Sequence, residues 1–190
     1  MAKRTIINRS GKLNAETRRW LVVLVILAGG LGGYGAKLWN APPDAPIVGA
    51  AYVVDGDTVS ISGRHIRLVD IDAPELAQSC QDGQGKPWPC GRSSAAALRG
   101  LLRSRELSCR PQAYDQYHRV LAVCSLSDGT DINAWMVRQG LAVTSGFAKV
   151  YGVQEAEARA AKRGLWTGDF TPPREWRRQH PRIDQPASKS

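Results

Sequence analysis

Short apolar runs separated by turn signals dominate the chain after residue 50. Three runs rich in β-branched residues, 52–54, 59–61 and 65–71, are separated by an Asp-Gly-Asp sequence and by a Ser-Gly pair. Short strands joined by tight turns are typical of a small barrel or meander. Two later runs, 106–112 and 118–126, flank a polar stretch and predict a hairpin.

Three later segments, 93–106, 131–142 and 153–166, show helical patterns. The first opens with serines that can cap a helix and repeats apolar residues on one face. The second runs from a capping aspartate to a terminating glycine, and the third has acidic residues early and basic residues late, which complements a helix dipole. Four prolines and little apolar periodicity predict a disordered basic tail at 171–190.

The N-terminal region differs in character from the rest. Residues 1–19 are basic, and the next twenty, 20–39, carry Lys37 as their only charge. A helix of that length rises about 30 Å, enough to span the apolar core of a bilayer. We therefore predict a transmembrane anchor at 20–39, with 1–19 in the cytoplasm and a proline-rich linker at 40–49. A cleaved secretory signal is the alternative, although small residues at suitable cleavage positions are hard to place.

The basic charge of the chain is unevenly distributed. The formal net charge is +9, from 26 basic and 17 acidic residues among 190. The excess lies at the two ends, because residues 38–173 carry 14 of each sign. Net charge is therefore no argument that the globular part binds nucleic acid or an anionic surface.

Four cysteines all follow the predicted anchor, which would place them in a compartment that sustains disulfides. Their even number and the lack of a C-x-x-C pair favour two bridges over a zinc site. Cys80 and Cys90 lie in one polar loop, and Cys109 and Cys124 lie on the two arms of the predicted hairpin. This pairing alone joins local partners, so we predict Cys80–Cys90 and Cys109–Cys124.

Five charged residues stand at the predicted ends of strands and turns: Asp57, Arg67, Asp72, Glu75 and Arg119. Neighbouring carboxylates can share a hard cation, and two arginines suit a phosphate. Strict strand alternation would put Arg67 and Asp72 on opposite faces, because they are five residues apart. A common site therefore requires a bend near residues 70–73, which Pro74 favours.

The order of the motifs closely resembles the staphylococcal nuclease family over about residues 50–168. The motifs are DGDT at 55–58, RLVDIDAPE at 67–75, DQYHR at 115–119, NAWMVRQGLA at 133–142 and AKRGLW at 161–166. The resemblance implies an α+β, mainly β fold, an OB-type five-stranded barrel with three helices at 50–170, here preceded by one N-terminal transmembrane or signal helix. It also implies a calcium-dependent endonuclease that hydrolyses phosphodiester bonds of DNA and RNA and leaves 3′-phosphates.

The resemblance also implies roles for single residues. Asp57 and Asp72 match the calcium carboxylates, and the backbone carbonyl of Ala73 is a further ligand. Glu75 matches the candidate general base. Arg67 and Arg119 match the two arginines that bind the phosphate and its transition state.

The nucleotide-binding positions of the family are only partly matched in this sequence. Tyr117 matches a base-stacking tyrosine, but the lysine next to it in the family is Gln116 here. A second stacking tyrosine falls on Gly146, where Phe147 or Tyr151 would have to substitute. We expect weaker or differently shaped nucleotide binding.

These expectations combine into one hypothesis. The chain is predicted to be a monomeric, metal-dependent nuclease with Ca²⁺ as cofactor and DNA and RNA as substrates. Its nuclease domain is predicted to be extracytoplasmic, periplasmic or extracellular, and anchored in the lipid bilayer through residues 20–39, or else secreted after signal cleavage. The alternative is a catalytically inactive OB-fold module that binds nucleic acid or a protein.

Overall fold

The computed structural model describes residues 45–181. The predicted cytoplasmic segment 1–19, the predicted anchor or signal 20–39 and the last part of the predicted tail, 182–190, lie outside these residues. Among the residues that are described, no helix is both long enough and apolar enough to cross a membrane.

Five strands close into a barrel in the order β1-β2-β3-β8-β7, which confirms the predicted architecture. Neighbours pair antiparallel except β3 and β8, which are parallel. The strands of the described region are β1 Ile47–Val53, β2 Thr58–Ile61, β3 Arg64–Leu68, β4 Ile71–Asp72, β5 Cys80–Gln81, β6 Pro87–Trp88, β7 Glu106–Tyr114, β8 Val120–Leu126 and β9 Val143–Thr144.

Helices lie at three of the predicted places and at one unpredicted place. The bounds are α1 Cys90–Leu102, α2 Ile132–Arg138, α3 Gly152–Ala160 and α4 Pro173–Gln179, with a 3₁₀ turn at Gly164–Thr167. Helix α4 differs from the expectation of a disordered tail over 171–190. It begins with a proline in its first turn, where the missing N–H costs nothing, and it has Glu175 early and Arg177 and Arg178 late.

Strand alternation separates the core from the side of the barrel that carries the charged residues. Ile66 and Leu68 of β3 point inward and are fully buried, as are Val120 and Ala122 on the neighbouring β8. Because side chains alternate along a strand, Arg67 points outward. The barrel therefore supplies a rigid base for this arginine.

The predicted disulfides are both present, Cys80–Cys90 and Cys109–Cys124. Cys109 and Cys124 lie directly opposite each other in the β7–β8 register, which the sequence could not fix. Cys80–Cys90 joins β5 to the first residue of α1 and so closes the loop that follows Glu75.

Candidate active site

A sharp turn between β3 and β4 brings Arg67 and Asp72 together. Asp70 has a positive φ of 62°, and its carbonyl accepts a hydrogen bond from the N–H of Ser145 at 2.8 Å. After this turn Nη2 of Arg67 lies 2.9 Å from Oδ1 of Asp72. The predicted bend near residues 70–73 is therefore present, and it centres on Asp70.

Asp57 is a buried carboxylate, 3% exposed, in the loop between β1 and β2. Its Oδ1 accepts a hydrogen bond from Nη1 of Arg67 at 2.7 Å, and its Oδ2 accepts one from the N–H of Ala73 at 3.0 Å. Gly56 permits this close approach, because a Cβ at that position would lie 2.7 Å from the Cβ of Ala73. The Asp-Gly-Asp sequence is thus part of the site and not simply a turn.

The site carries concentrated negative charge. Burial raises the pKa of Asp57 from 3.8 to about 7, even though the Arg67 guanidinium acts to lower it. The nearby carboxylates of Asp55 and Asp72 raise it further. A second positive charge beside Asp57 and Asp72 would relieve this repulsion.

Arg177 of α4 supplies a positive charge that the sequence analysis missed. Its Nη2 lies 3.0 Å from both carboxylate oxygens of Asp72, and its Nη1 lies 3.0 Å from Oε1 of Glu75. Burial alone would lower the pKa of Arg177, but the Asp72 and Glu75 carboxylates raise it above its ordinary value. The proline start and late basic residues of α4 were the signals that could have indicated a helix here.

Gln78 fixes the loop that carries Glu75. Its buried side chain accepts a hydrogen bond from the N–H of Glu75 at 3.3 Å and donates one to the carbonyl of Thr171 at 2.7 Å. The first turn of α1 packs closely on the same loop, since a Cβ at Gly91 would collide with the backbone of Glu75. Gln78 therefore links the Glu75 loop to the chain that leads into α4.

Arg119 is held by its own loop. Nε of Arg119 lies 2.7 Å from Oδ2 of Asp115, while Oδ1 of Asp115 accepts the N–H groups of Tyr117 and Arg119 at 2.9 Å each. The guanidinium lies 5.6 Å from the centre of the Tyr117 ring. Val120, the first residue of β8, is inward and pairs with Ile66 of β3, and Arg119 directly precedes it at the end of the loop.

The structure thus brings four of the five predicted charged residues into one connected cluster, which consists of Asp57, Arg67, Asp72 and Glu75 with Arg177. Within the described part of the chain, the hydrogen bonds and ion pairs of the Arg119 guanidinium are with Asp115, not with that cluster.

The two candidate substitutes for the second stacking tyrosine differ in exposure. Phe147 is fully exposed, whereas Tyr151 is buried in the core and is not available to stack on a base.

A cleft of about 300 Å³ runs beside this cluster. Three arginines line it, Arg67 from β3 and Arg174 and Arg177 from α4, together with Asp72 and the side of β4. An open cleft with several guanidinium groups is suited to an anionic ligand such as a phosphodiester.

The described residues contain no group of three or more histidine, cysteine, aspartate or glutamate side chains arranged to hold a metal ion. Asp57 and Asp72 are nevertheless held by the same guanidinium, and Ala73 lies beside them. Carboxylate and carbonyl oxygens are the donors that Ca²⁺ prefers. The oxygen atoms of these residues therefore fit calcium, and they come from two carboxylates rather than from a group of three or more acidic side chains.

Comparison of the sequence with known proteins identifies a family. Residues 65–168 match the staphylococcal nuclease homologue family. The chain belongs to this family. Membership confirms the predicted resemblance to this family. It also confirms the predicted enzyme class, which is that of a nuclease, a hydrolase. Helix α4 lies beyond the matched residues.

The following proteins are among those whose sequences are similar to this chain. The succinoglycan biosynthesis protein ExoI of Rhizobium meliloti (strain 1021) is 37% identical over 124 residues, covering 64% of this chain and 65% of that protein. An uncharacterized endonuclease of Escherichia coli is 35% identical over 133 residues, covering 66% and 80%. The probable endonuclease LCL3 of Verticillium alfalfae (strain VaMs.102 / ATCC MYA-4576 / FGSC 10136) is 31% identical over 137 residues, covering 64% and 45%. The chain thus spans slightly less than two thirds of the Rhizobium protein.

Proposed function

We propose that the chain is a calcium-dependent endonuclease that hydrolyses phosphodiester bonds of DNA and RNA and leaves 3′-phosphates. The observation that carries this proposal is the pair of buried carboxylates, Asp57 and Asp72, bridged by Arg67 beside an arginine-lined cleft. Asp57, Asp72 and the carbonyl of Ala73 would hold the cation. Bound calcium would supply positive charge to the phosphate oxygens as negative charge develops on them.

The chain's own residues account for the remaining chemistry. Glu75, whose carboxylate accepts a hydrogen bond from the cleft-lining Arg177, would take the proton of the attacking water. Arg67 of β3 and Arg119, which directly precedes the neighbouring β8, would donate hydrogen bonds to the phosphate oxygens as charge builds on them. The exposed ring of Tyr117, beside Arg119, would stack on a nucleotide base without selecting its identity.

The test is cleavage of single- and double-stranded DNA and RNA by the full chain, with calcium or with a chelator. We expect activity with calcium only, and a loss of about 100-fold or more in Glu75→Gln and Arg119→Ala, because each removes a group that acts on the transition state. Glu106→Gln and Arg103→Ala are matched controls at exposed positions and should cleave normally.

Undiminished cleavage in the chelator, or by either site variant, would contradict this mechanism. Binding of nucleic acid without any cleavage would favour the alternative, a catalytically inactive OB-fold module.

We further propose that the chain acts as a monomer outside the cytoplasm, with residues 20–39 anchoring it in the lipid bilayer, or that it is secreted after cleavage in that segment. The hydrophobic run with its basic flank supports the proposal. The two disulfides also support it, because such bridges persist in oxidising compartments.

A further inference from the structure

Helix α4 is attached to the rest of the fold by contacts that do not involve Arg177. The carbonyl of Asp169 accepts the N–H of Gln81 at 2.8 Å, and the carbonyl of Thr171 accepts the side chain of Gln78 at 2.7 Å. Pro173, the first residue of the helix, is buried. The path of the chain into α4 is therefore set before Arg177 is reached.

Arg177 extends from this anchored helix to two carboxylates at once. Its two terminal nitrogens divide between Asp72 and Glu75, all three distances being 3.0 Å. The planar fork of a guanidinium suits two separate carboxylates, because its terminal nitrogens donate in fixed directions, whereas an ammonium group is a single point of charge. The guanidinium also lines the cleft, and its side chain keeps 37% of its surface exposed.

We propose that Arg177 is a positioning residue of the active site, which holds the carboxylates of Asp72 and Glu75 in their working arrangement. This inference rests on the proposed function, in which Asp72 binds calcium and Glu75 takes a proton. It makes α4 a part of the catalytic unit, although the helix lies beyond the residues that match the family.

The position of Arg177 has two opposite consequences. Its guanidinium orders the two carboxylates, which favours catalysis because small misplacements of reacting groups are costly. Its positive charge also repels any cation bound by Asp72, which weakens cation binding. Removing the charge should therefore slow the reaction while leaving cation binding as strong as before or making it stronger.

Three variants of the full chain separate these effects. Arg177→Gln removes the charge and the fork, and Arg177→Lys keeps the charge without the fork. Arg178→Gln is the matched control, because it removes the same charge from the next residue of α4, which is exposed. For each chain, kcat and KM are measured on a labelled oligonucleotide, calcium binding by calorimetry, and Tm by thermal unfolding.

We expect Arg177→Gln to lower kcat by about 10- to 100-fold with little change in KM, and to bind calcium several-fold more tightly. Arg177→Lys should bind calcium like the wild type and recover only part of kcat. Arg178→Gln should match the wild type in both measurements.

The inference is overturned if Arg177→Gln cleaves within twofold of the wild type, or if it loses calcium binding, activity and Tm together as a purely structural contact would. A wild-type chain that neither cleaves nor binds calcium would remove the proposed function and this inference with it. If the wild type and Arg177→Gln both cleave at the same rate in the presence of calcium, this inference is wrong and the proposed function stands.

Discussion

At the scale of single residues, Asp115 determines where the guanidinium of Arg119 lies. One carboxylate oxygen of Asp115 accepts two backbone N–H groups of its loop, and the other accepts Nε of Arg119. Partial burial acts to raise the pKa of Asp115, but the hydrogen bonds from Arg119 and Tyr117 lower it below 3.8. Since the folded pKa is depressed, this stabilisation is present above about pH 4 and is lost as the pH falls through the folded value.

The substitution Asp115→Asn tests the role of this contact. The amide oxygen can keep both backbone hydrogen bonds, but the amide NH₂ cannot accept from Arg119, so the loop stays folded while the arginine is released. We expect kcat/KM to fall about tenfold, the value of one charge-assisted hydrogen bond. Asp128→Asn is the control, because Asp128 accepts a backbone N–H in a similar turn and is not among the residues that line the cleft. Equal rates for Asp115→Asn and wild type would show that Arg119 needs no such support.

At the scale of elements, Asn133 of α2 ties the helix to the turn that shapes the site. Its side chain accepts the N–H of Cys124 at 3.1 Å and donates to the carbonyls of Val69 and Ala122 at 2.9 and 3.2 Å. Val69 directly precedes Asp70, so a fully buried side chain on α2 braces the bend that joins Arg67 to Asp72.

Replacing Asn133 by alanine should therefore lower the free energy of unfolding by about 3 kcal/mol, because three side-chain hydrogen bonds to backbone groups are lost in a buried place, although the carbonyl of Ala122 keeps the N–H of Val69. Asp131→Ala at the N-terminus of the same helix removes the N-cap hydrogen bond to the N–H of Ala134 and a long hydrogen bond from the Tyr151 hydroxyl at 3.4 Å, and should cost about 1 to 2 kcal/mol. Urea unfolding of both variants measures the difference. A smaller effect for Asn133→Ala than for Asp131→Ala would contradict this account.

The sequence predicted the barrel and three helices well, because their apolar periodicity reflects burial against one core. It did not predict α4, since Pro173 is the only residue of that helix that is buried, and ion pairs made far along the chain leave no periodic pattern. For the same reason the motifs indicated Asp57, Arg67, Asp72 and Glu75, whereas Gln78 and Arg177 were missed. The hydrogen bond of Gln78 to Thr171 and those of Arg177 to Glu75 and Asp72 join residues that are 93 to 105 positions apart in the chain.

At the scale of the whole molecule, the two disulfides relate the stability of the fold to the compartment in which the chain is proposed to lie. They close loops of 10 and 15 residues, which the chain-entropy model values at about 3 kcal/mol each. We expect all four cysteines to be oxidised in chain recovered from the cell envelope or medium, and Cys109→Ala with Cys124→Ala to lower the free energy of unfolding by about that amount. Thiol labelling and urea unfolding measure these quantities. Free thiols at all four positions in exported chain would contradict the proposed location.

The place of α4 in chain order has a consequence for biosynthesis. A ribosome makes the barrel, the disulfide-bearing loops and the other three helices before it reaches Pro173, so the described helix that contacts Asp72 and Glu75 is also the last of them to emerge. Until then the cleft lacks both of its α4 arginines. In the proposal for Arg177, a nascent chain that is still close to the messenger that encodes it does not yet position Asp72 and Glu75, and the site is completed only once α4 has been translated.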